Sequence, residues 1–152
     1  MTDIIHRVGI KAPISEVYQA LASVEGISDW WTQATSGTSA VGKTIRVRFV
    51  SQEGEEIGSM DMIVKALDPD KKVHWHFVEG PEEWIGTDVA FDLHIEGNHT
   101  IVLFGHRNWR KEVEFTAHCS MKWAVFLLSL KELVETGKGR PSPNDIKIDN
   151  WN

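Results

Sequence analysis

The segment from Thr116 to Thr136, TAHCSMKWAVFLLSLKELVET, leaves the rest of the chain few options. Cys119, Trp123, Phe126, Leu127, Leu130, Leu133 and Val134 recur at three- and four-residue steps, which draws a wide apolar stripe along a helix of about six turns. Lys122, Lys131, Glu132 and Glu135 fall on the other side. Gly137 and Gly139, with Lys138 between them, supply a stop with a cation near the negative helix end, and Pro141 and Pro143 prevent resumption. Thr116 can cap the start, but Cys at position 119 leaves no capping box. Five or six such side chains, buried, contribute on the order of 10 kcal/mol of gross stabilisation. Something broad and apolar must therefore face this helix. A second, weaker stripe of Met121, Val125 and Leu128 on its back calls for cover by the C-terminal tail, Ile146 to Trp151, or by another subunit.

The facing surface is found where the period changes to two. Asp3 to Lys11 reads as a strand with Ile4, His6, Val8 and Ile10 on one face, ended by Pro13. Ser15 to Leu21 reads as a short helix with Val17, Tyr18 and Leu21 inside, and a second short helix or turn carries Ile27, Trp30 and Trp31. Thr32 to Gly42, rich in Ser, Thr and Gly, reads as a loop. From Lys43 to Arg107 five strands follow. Gly97-Asn98 makes a two-residue hairpin turn that sets Glu96 opposite His99, Leu93 opposite Val102, Phe91 opposite Phe104 and Val89 opposite His106. The other turns set Val64 by Trp75, Met62 by Phe77 and Val47 by Met60, which brings every apolar side chain to one face of one antiparallel sheet.

The expected fold is therefore α+β: a curved antiparallel sheet wrapped around a long C-terminal helix, with two short helices after the first strand. Residues 1–152 form a single domain, of which 141–152 are a C-terminal tail. At this length, with 41% hydrophobic residues, the chain can build a core without staples. One cysteine excludes an intrachain disulfide, MTDIIHR lacks the apolar run of a secretory signal, and no run is long enough to span a membrane, so the cytoplasm is the expected location. A net charge of −6, with Lys and Arg dispersed, argues against nucleic acid as a partner.

The order of these elements resembles a known superfamily. The opening Ala12-Pro13-x-x-Glu16-Val17-Tyr18-x-Ala20-Leu21, the Trp30-Trp31 pair, the Leu67-Asp68-Pro69 turn, His106 closing the last strand and Trp123-x-x-Phe126-Leu127-x-Ser129-Leu130-Lys131 running to Gly139 are similar to the START-like (SRPBCC) superfamily. Within it they resemble the branch of the activator of heat-shock-protein ATPase. The resemblance implies a helix-grip fold with a cavity that holds lipids, polyketides, hormones or other apolar molecules in various members. It implies no single activity, because this fold hosts carriers, cyclases, receptors and co-chaperone domains. The eukaryotic activator joins such a domain to a separate N-terminal one, and this chain has room for one of the two.

Between such a sheet and helix the lining is aromatic. Trp31, Phe49, Trp75, Phe77, Phe91, Phe104 and Trp123 have inward parity or lie on the helix stripe, with Met60 and Met62 as adaptable filler. The pattern fits a solid core and a ligand-sized cavity equally. His106, inward at the end of its strand and near solvent, and Trp109, in the loop that should cross the cavity mouth, add a polar anchor. Cys119 near the helix start reads as a small apolar filler within the same site, since His118 points about 100° away from it.

On the opposite face, His74-x-His76 with Asp92 placed across from His74 allows a two-His-one-carboxylate metal site to be drawn. The favoured reading is a solvated ladder of cross-strand pairs, including Arg46 with Asp61, and no metal or cofactor is expected. No Ser/His/Asp order, phosphate loop or pair of buried carboxylates supports an enzyme. The expected function is binding of a small apolar or amphiphilic molecule by Trp31, Phe49, Met62, Trp75, Phe77, Phe91, Phe104, His106, Trp109, Cys119 and Trp123. The alternatives are a chaperone-partner module and a cyclase- or hydratase-like enzyme using His106, in a monomer or homodimer.

Overall fold

Seven strands, several with alternating burial along the chain, form one open antiparallel sheet, and the computed structural model describes all of residues 1–152. In chain order the elements are β1 (Thr2–Ile10), α1 (Ile14–Ala22), α2 (Val24–Trp30), β2 (Ala34–Gly37), β3 (Thr44–Val50), β4 (Glu56–Asp68), β5 (Lys72–Glu79), β6 (Asp88–Glu96), β7 (His99–Trp109) and α3 (Glu114–Thr136). The strand order is β1-β7-β6-β5-β4-β3-β2. The chain after α2 thus starts at one edge and meanders back toward β1, and α3 crosses the concave side. No helix is long and apolar enough to cross a membrane.

The β6–β7 hairpin has the register its Gly97-Asn98 turn demands, with Leu93 opposite Val102, Phe91 opposite Phe104 and Val89 opposite His106. Gly97 takes φ of +61°, in the left-handed region that such a turn requires. Val47–Met60, Met62–Phe77 and Val64–Trp75 are likewise paired. The short helices interlock behind Pro13. The Ser23 hydroxyl accepts from Gly26 N–H and caps α2, and a Cβ at Gly26 would sit 2.5 Å from the Ala20 carbonyl oxygen, so only glycine lets the two helices approach. The Trp30 indole N–H donates to that same carbonyl.

Four expectations need correction. Ala34–Gly37, expected in a loop, is an edge strand paired to Arg48–Ile45 of β3. Thr116 is not the N-cap of α3: Val113 is, and the Thr116 hydroxyl reaches back to accept from Val113 N–H. Lys122 is not on the solvent side but buried, because its ammonium is ion-paired to the buried carboxylate of Asp145 and donates to the Ile146 carbonyl. The tail does not cover the Met121–Leu128 stripe. It runs along the flank of α3 that carries Phe115, His118 and Lys122, held by that ion pair, by His118–Asp149 at 2.7 Å and by two backbone hydrogen bonds between Ser142 and the Trp31–Gln33 segment.

Candidate functional site

Inward parity brings the aromatic side chains of the sheet, α2 and α3 together in one stack. Trp31 lies parallel to Trp75 at 5.8 Å and tilted against Trp123 at 5.0 Å. Phe91 meets Trp75 edge-on at 5.1 Å and Phe104 at 5.3 Å, and Phe104 touches Trp123 at 4.6 Å. Met62, Trp75, Phe77 and Phe91 have no exposure to solvent. The middle of the concave face is thus filled by rings, in offset and edge-on contacts that add to their area burial.

A hollow remains at one end of α3, with a volume of about 190 Å³. Trp31, Phe49, Met60 and Phe126 line it together with Trp84, Cys119 and Trp123. Phe115 and His118 of α3 and Trp151 of the tail also line it, with the His118 ring parallel to Phe115 and edge-on to Trp151. Of the residues expected at a ligand site, Trp31, Phe49, Cys119 and Trp123 therefore border the hollow. Met62, Trp75, Phe77, Phe91, Phe104, His106 and Trp109 lie deeper, in the ring stack and around it.

His106 is not near solvent. β7 continues for three residues beyond it, and Trp109, expected in a loop, is a fully buried strand residue whose ring lies 5.0 Å from the imidazole. Both nitrogens of His106 are engaged. The Trp123 indole N–H donates to Nδ1 at 3.0 Å, which makes Nδ1 the acceptor and puts the proton on Nε2. Nε2–H then donates to Thr87 Oγ1 at 2.8 Å, and the Thr87 hydroxyl donates to the Trp84 carbonyl at 2.6 Å. Burial pushes the His106 pKa down to about 3, with the Asp88 charge acting weakly in the other direction. This imidazole is a neutral clasp joining β7, α3 and the β5–β6 connection.

Cys119, Trp84 and Lys122 bring a thiol, an indole N–H and an ammonium to the hollow, and His118 and Asn152 complete its polar side chains. Burial raises the Cys119 thiol to about 12, with the neighbouring Trp84 indole acting the other way, so the sulfur is no thiolate nucleophile. The Trp84 indole N–H is buried with the Cys119 sulfur beside it and has no oxygen or nitrogen acceptor. Lys122 lies 5.2 Å from the centre of the Phe126 ring and uses two of its three N–H groups on Asp145 and Ile146. Burial acts to raise the Asp145 pKa, but hydrogen bonds from Lys122 and Lys147 outweigh it and hold the carboxyl below its ordinary value. Trp84 had no periodic signal, since it lies in the Pro81–Gly86 connection. The apolar pair Trp84-Ile85 between a proline and a glycine was the only clue.

The convex face carries the polar ladder. Arg46 grips Asp61 with two hydrogen bonds at 2.7 and 3.0 Å. The carboxylate beside the histidines is Asp88, not Asp92: His74 sits opposite Ala90, and Asp92 pairs with Lys72. His74 Nε2 and His76 Nδ1 each lie 2.9 Å from the same Asp88 oxygen, and Asn108 donates to the other. Burial raises the Asp88 pKa, but these three hydrogen bonds prevail and lower it. The two imidazoles thus spend a nitrogen each on the carboxylate, and the trio has no arrangement that holds a metal ion.

Comparison with known proteins supplies relatives for this architecture. The sequence model of the family described as "Activator of Hsp90 ATPase homolog 1-like protein" matches residues 11–135. The solution structure of the Aha1 dimer from Colwellia psychrerythraea is 46% identical, with 91% of this chain and 100% of that chain covered and a TM-score of 0.81. A protein from Staphylococcus saprophyticus (18% identity, 93% and 98% covered, TM-score 0.74) and one from Mesorhizobium loti (19%, 87% and 96%, 0.73) share the fold. No curated protein matches.

Proposed function

Because the chain belongs to the Activator of Hsp90 ATPase homolog 1-like family, we propose that it is a binding protein for a small apolar or amphiphilic molecule, seated in the hollow between α3, the sheet and the tail. One observation carries this reading: an aromatic-walled hollow of about 190 Å³ bordered by Trp84, whose buried indole N–H has no oxygen or nitrogen acceptor. A cavity of ~150 Å³ accepts benzene, so one ring, a compact pair of rings or a short acyl chain fits, and larger ligands of the superfamily do not. A ligand burying ~200 Å² of apolar surface gains about 5 kcal/mol. An acceptor that meets the Trp84 N–H adds ~0.5–1.5 kcal/mol and relieves an unpaired donor. Dissociation constants of ~10–200 µM follow.

Calorimetric titration with acetophenone and with ethylbenzene tests the reading, since the two differ mainly in the carbonyl acceptor. Both should bind, the ketone roughly two- to tenfold more tightly, and Trp84→Phe should erase the difference. Failure of both, and of a wider one- to two-ring series, would refute the ligand reading. His106, with both nitrogens engaged inside the core, gives a cyclase or hydratase reading no support.

A second reading follows from the family and from the Colwellia relative's name: a module that contacts a heat-shock ATPase through its surface. Stimulation of such an ATPase by the purified protein would favour it. By the same likeness we read the chain as a homodimer, and the buried free thiol of Cys119 fits a cytoplasmic setting.

A further inference from the structure

α3 gives one side to the sheet and one flank to the tail, and a third side remains bare. Met121 and Leu128 are 57% and 59% exposed, with half-buried Ala124 and Val125 between them and exposed Ala117 one turn earlier. Steps of three and four residues put these five on one stripe, which runs for about 17 Å along the helix axis. Around the helix start Arg110 and Lys111 balance Glu112 and Glu114, and around its end Lys131 and Arg140 pair with Glu135 and Glu132, so neither end carries a strong net charge.

We propose that this stripe is where a second copy of the chain docks, with the two α3 helices antiparallel about a twofold axis near Ala124 and Val125. The inference rests on the homodimer reading above and adds its surface and geometry. A twofold axis makes the patch its own partner, so Met121 of one copy meets Leu128 of the other. In the antiparallel arrangement the positive dipole end of each helix lies beside the negative end of its mate, whereas a parallel arrangement would set like ends together. One helix face provides far less than the ~800 Å² per partner of a standard interface, so the dimer is concentration-dependent rather than obligate.

Sedimentation velocity from about 10 µM to about 1 mM tests this, at concentrations suited to so small an interface. The wild type should pass from monomer to dimer across that range. Met121→Glu with Leu128→Glu should weaken association at least tenfold with an unchanged melting temperature, whereas Ile95→Glu, on another exposed apolar residue, should leave it intact. Ala124→Cys should form a disulfide-linked dimer on mild oxidation, because it lies beside the axis and Cys119 is buried. A wild-type dimer insensitive to the double substitution, or an Ala124→Cys chain that stays monomeric on oxidation, would overturn this interface and leave the homodimer reading standing. A wild type that stays monomeric throughout would remove both.

Discussion

His106→Leu removes the clasp while keeping most of the volume, and its cost should depend on pH in a defined way. At pH 7.5 the substitution leaves the buried Trp123 indole N–H without its acceptor, which costs about 1–3 kcal/mol. Thr87 keeps its own hydrogen bond to the Trp84 carbonyl, so little is lost on that side. As pH falls, the wild type carries a penalty that the variant lacks. The folded-state pKa of His106 is about 3 against an ordinary 6.5, so between those values the unfolded chain binds more protons and stability falls as pH falls. Each unit below 6.5 removes ~1.4 kcal/mol, or about 2 kcal/mol by pH 5. Urea unfolding of both proteins at pH 7.5, 6 and 5 isolates this effect, because all other titrating groups are shared. The stability gap of about 1–3 kcal/mol at pH 7.5 should shrink by about 2 kcal/mol at pH 5, to near zero or with reversed sign. Parallel curves with a constant gap would mean that His106 titrates normally, and the sealed-clasp argument would fail.

Phe91→Ala should cost ~3–5 kcal/mol in the same assay, since the ring has no exposure and touches Trp75 and Phe104; a loss under ~1 kcal/mol would show the ring stack to be loose there. His74→Ala with His76→Ala should cost no more than ~1–2 kcal/mol for two part-buried hydrogen bonds to Asp88, with metal content unchanged by mass spectrometry. A stoichiometric metal in the wild type that disappears from the double variant would contradict the ladder.

What could be read from the sequence was whatever a period or a tight turn determines. Two residues at Gly97-Asn98 set the whole β6–β7 register, because a one-residue slip would turn Phe91, Leu93, Val102 and Phe104 to the wrong face. The β5–β6 register was misplaced because the connection between those strands is long and carries no hairpin signal, and Asp92 therefore stood where Ala90 belongs. β2 escaped notice because Ala34-Thr35-Ser36-Gly37 pairs with one neighbour only and buries no large side chain. Lys122 looked like a solvent residue because its partner, Asp145, is in a tail without periodicity. Parity pointed His106 inward correctly, but where β7 ends decides whether such a residue is at the rim or sealed, and strand ends are weakly encoded. The hollow itself depends on Trp84 and Trp151, two residues outside any periodic segment, and so it could not be drawn beforehand.

The seven tryptophans offer the most direct check on where a ligand sits. Their indole N–H signals, assigned by single Trp→Phe substitutions in a ¹⁵N-labelled sample, report separately on the hollow, the ring stack and the tail. On titration with acetophenone, the Trp84 signal should move furthest and toward the hydrogen-bonded position, with Trp31, Trp123 and Trp151 following, because these four border the hollow. Trp30, Trp75 and Trp109 should stay in place. Movement led by Trp75 or Trp109, or no movement of Trp84 at saturation, would contradict the placement of the binding site.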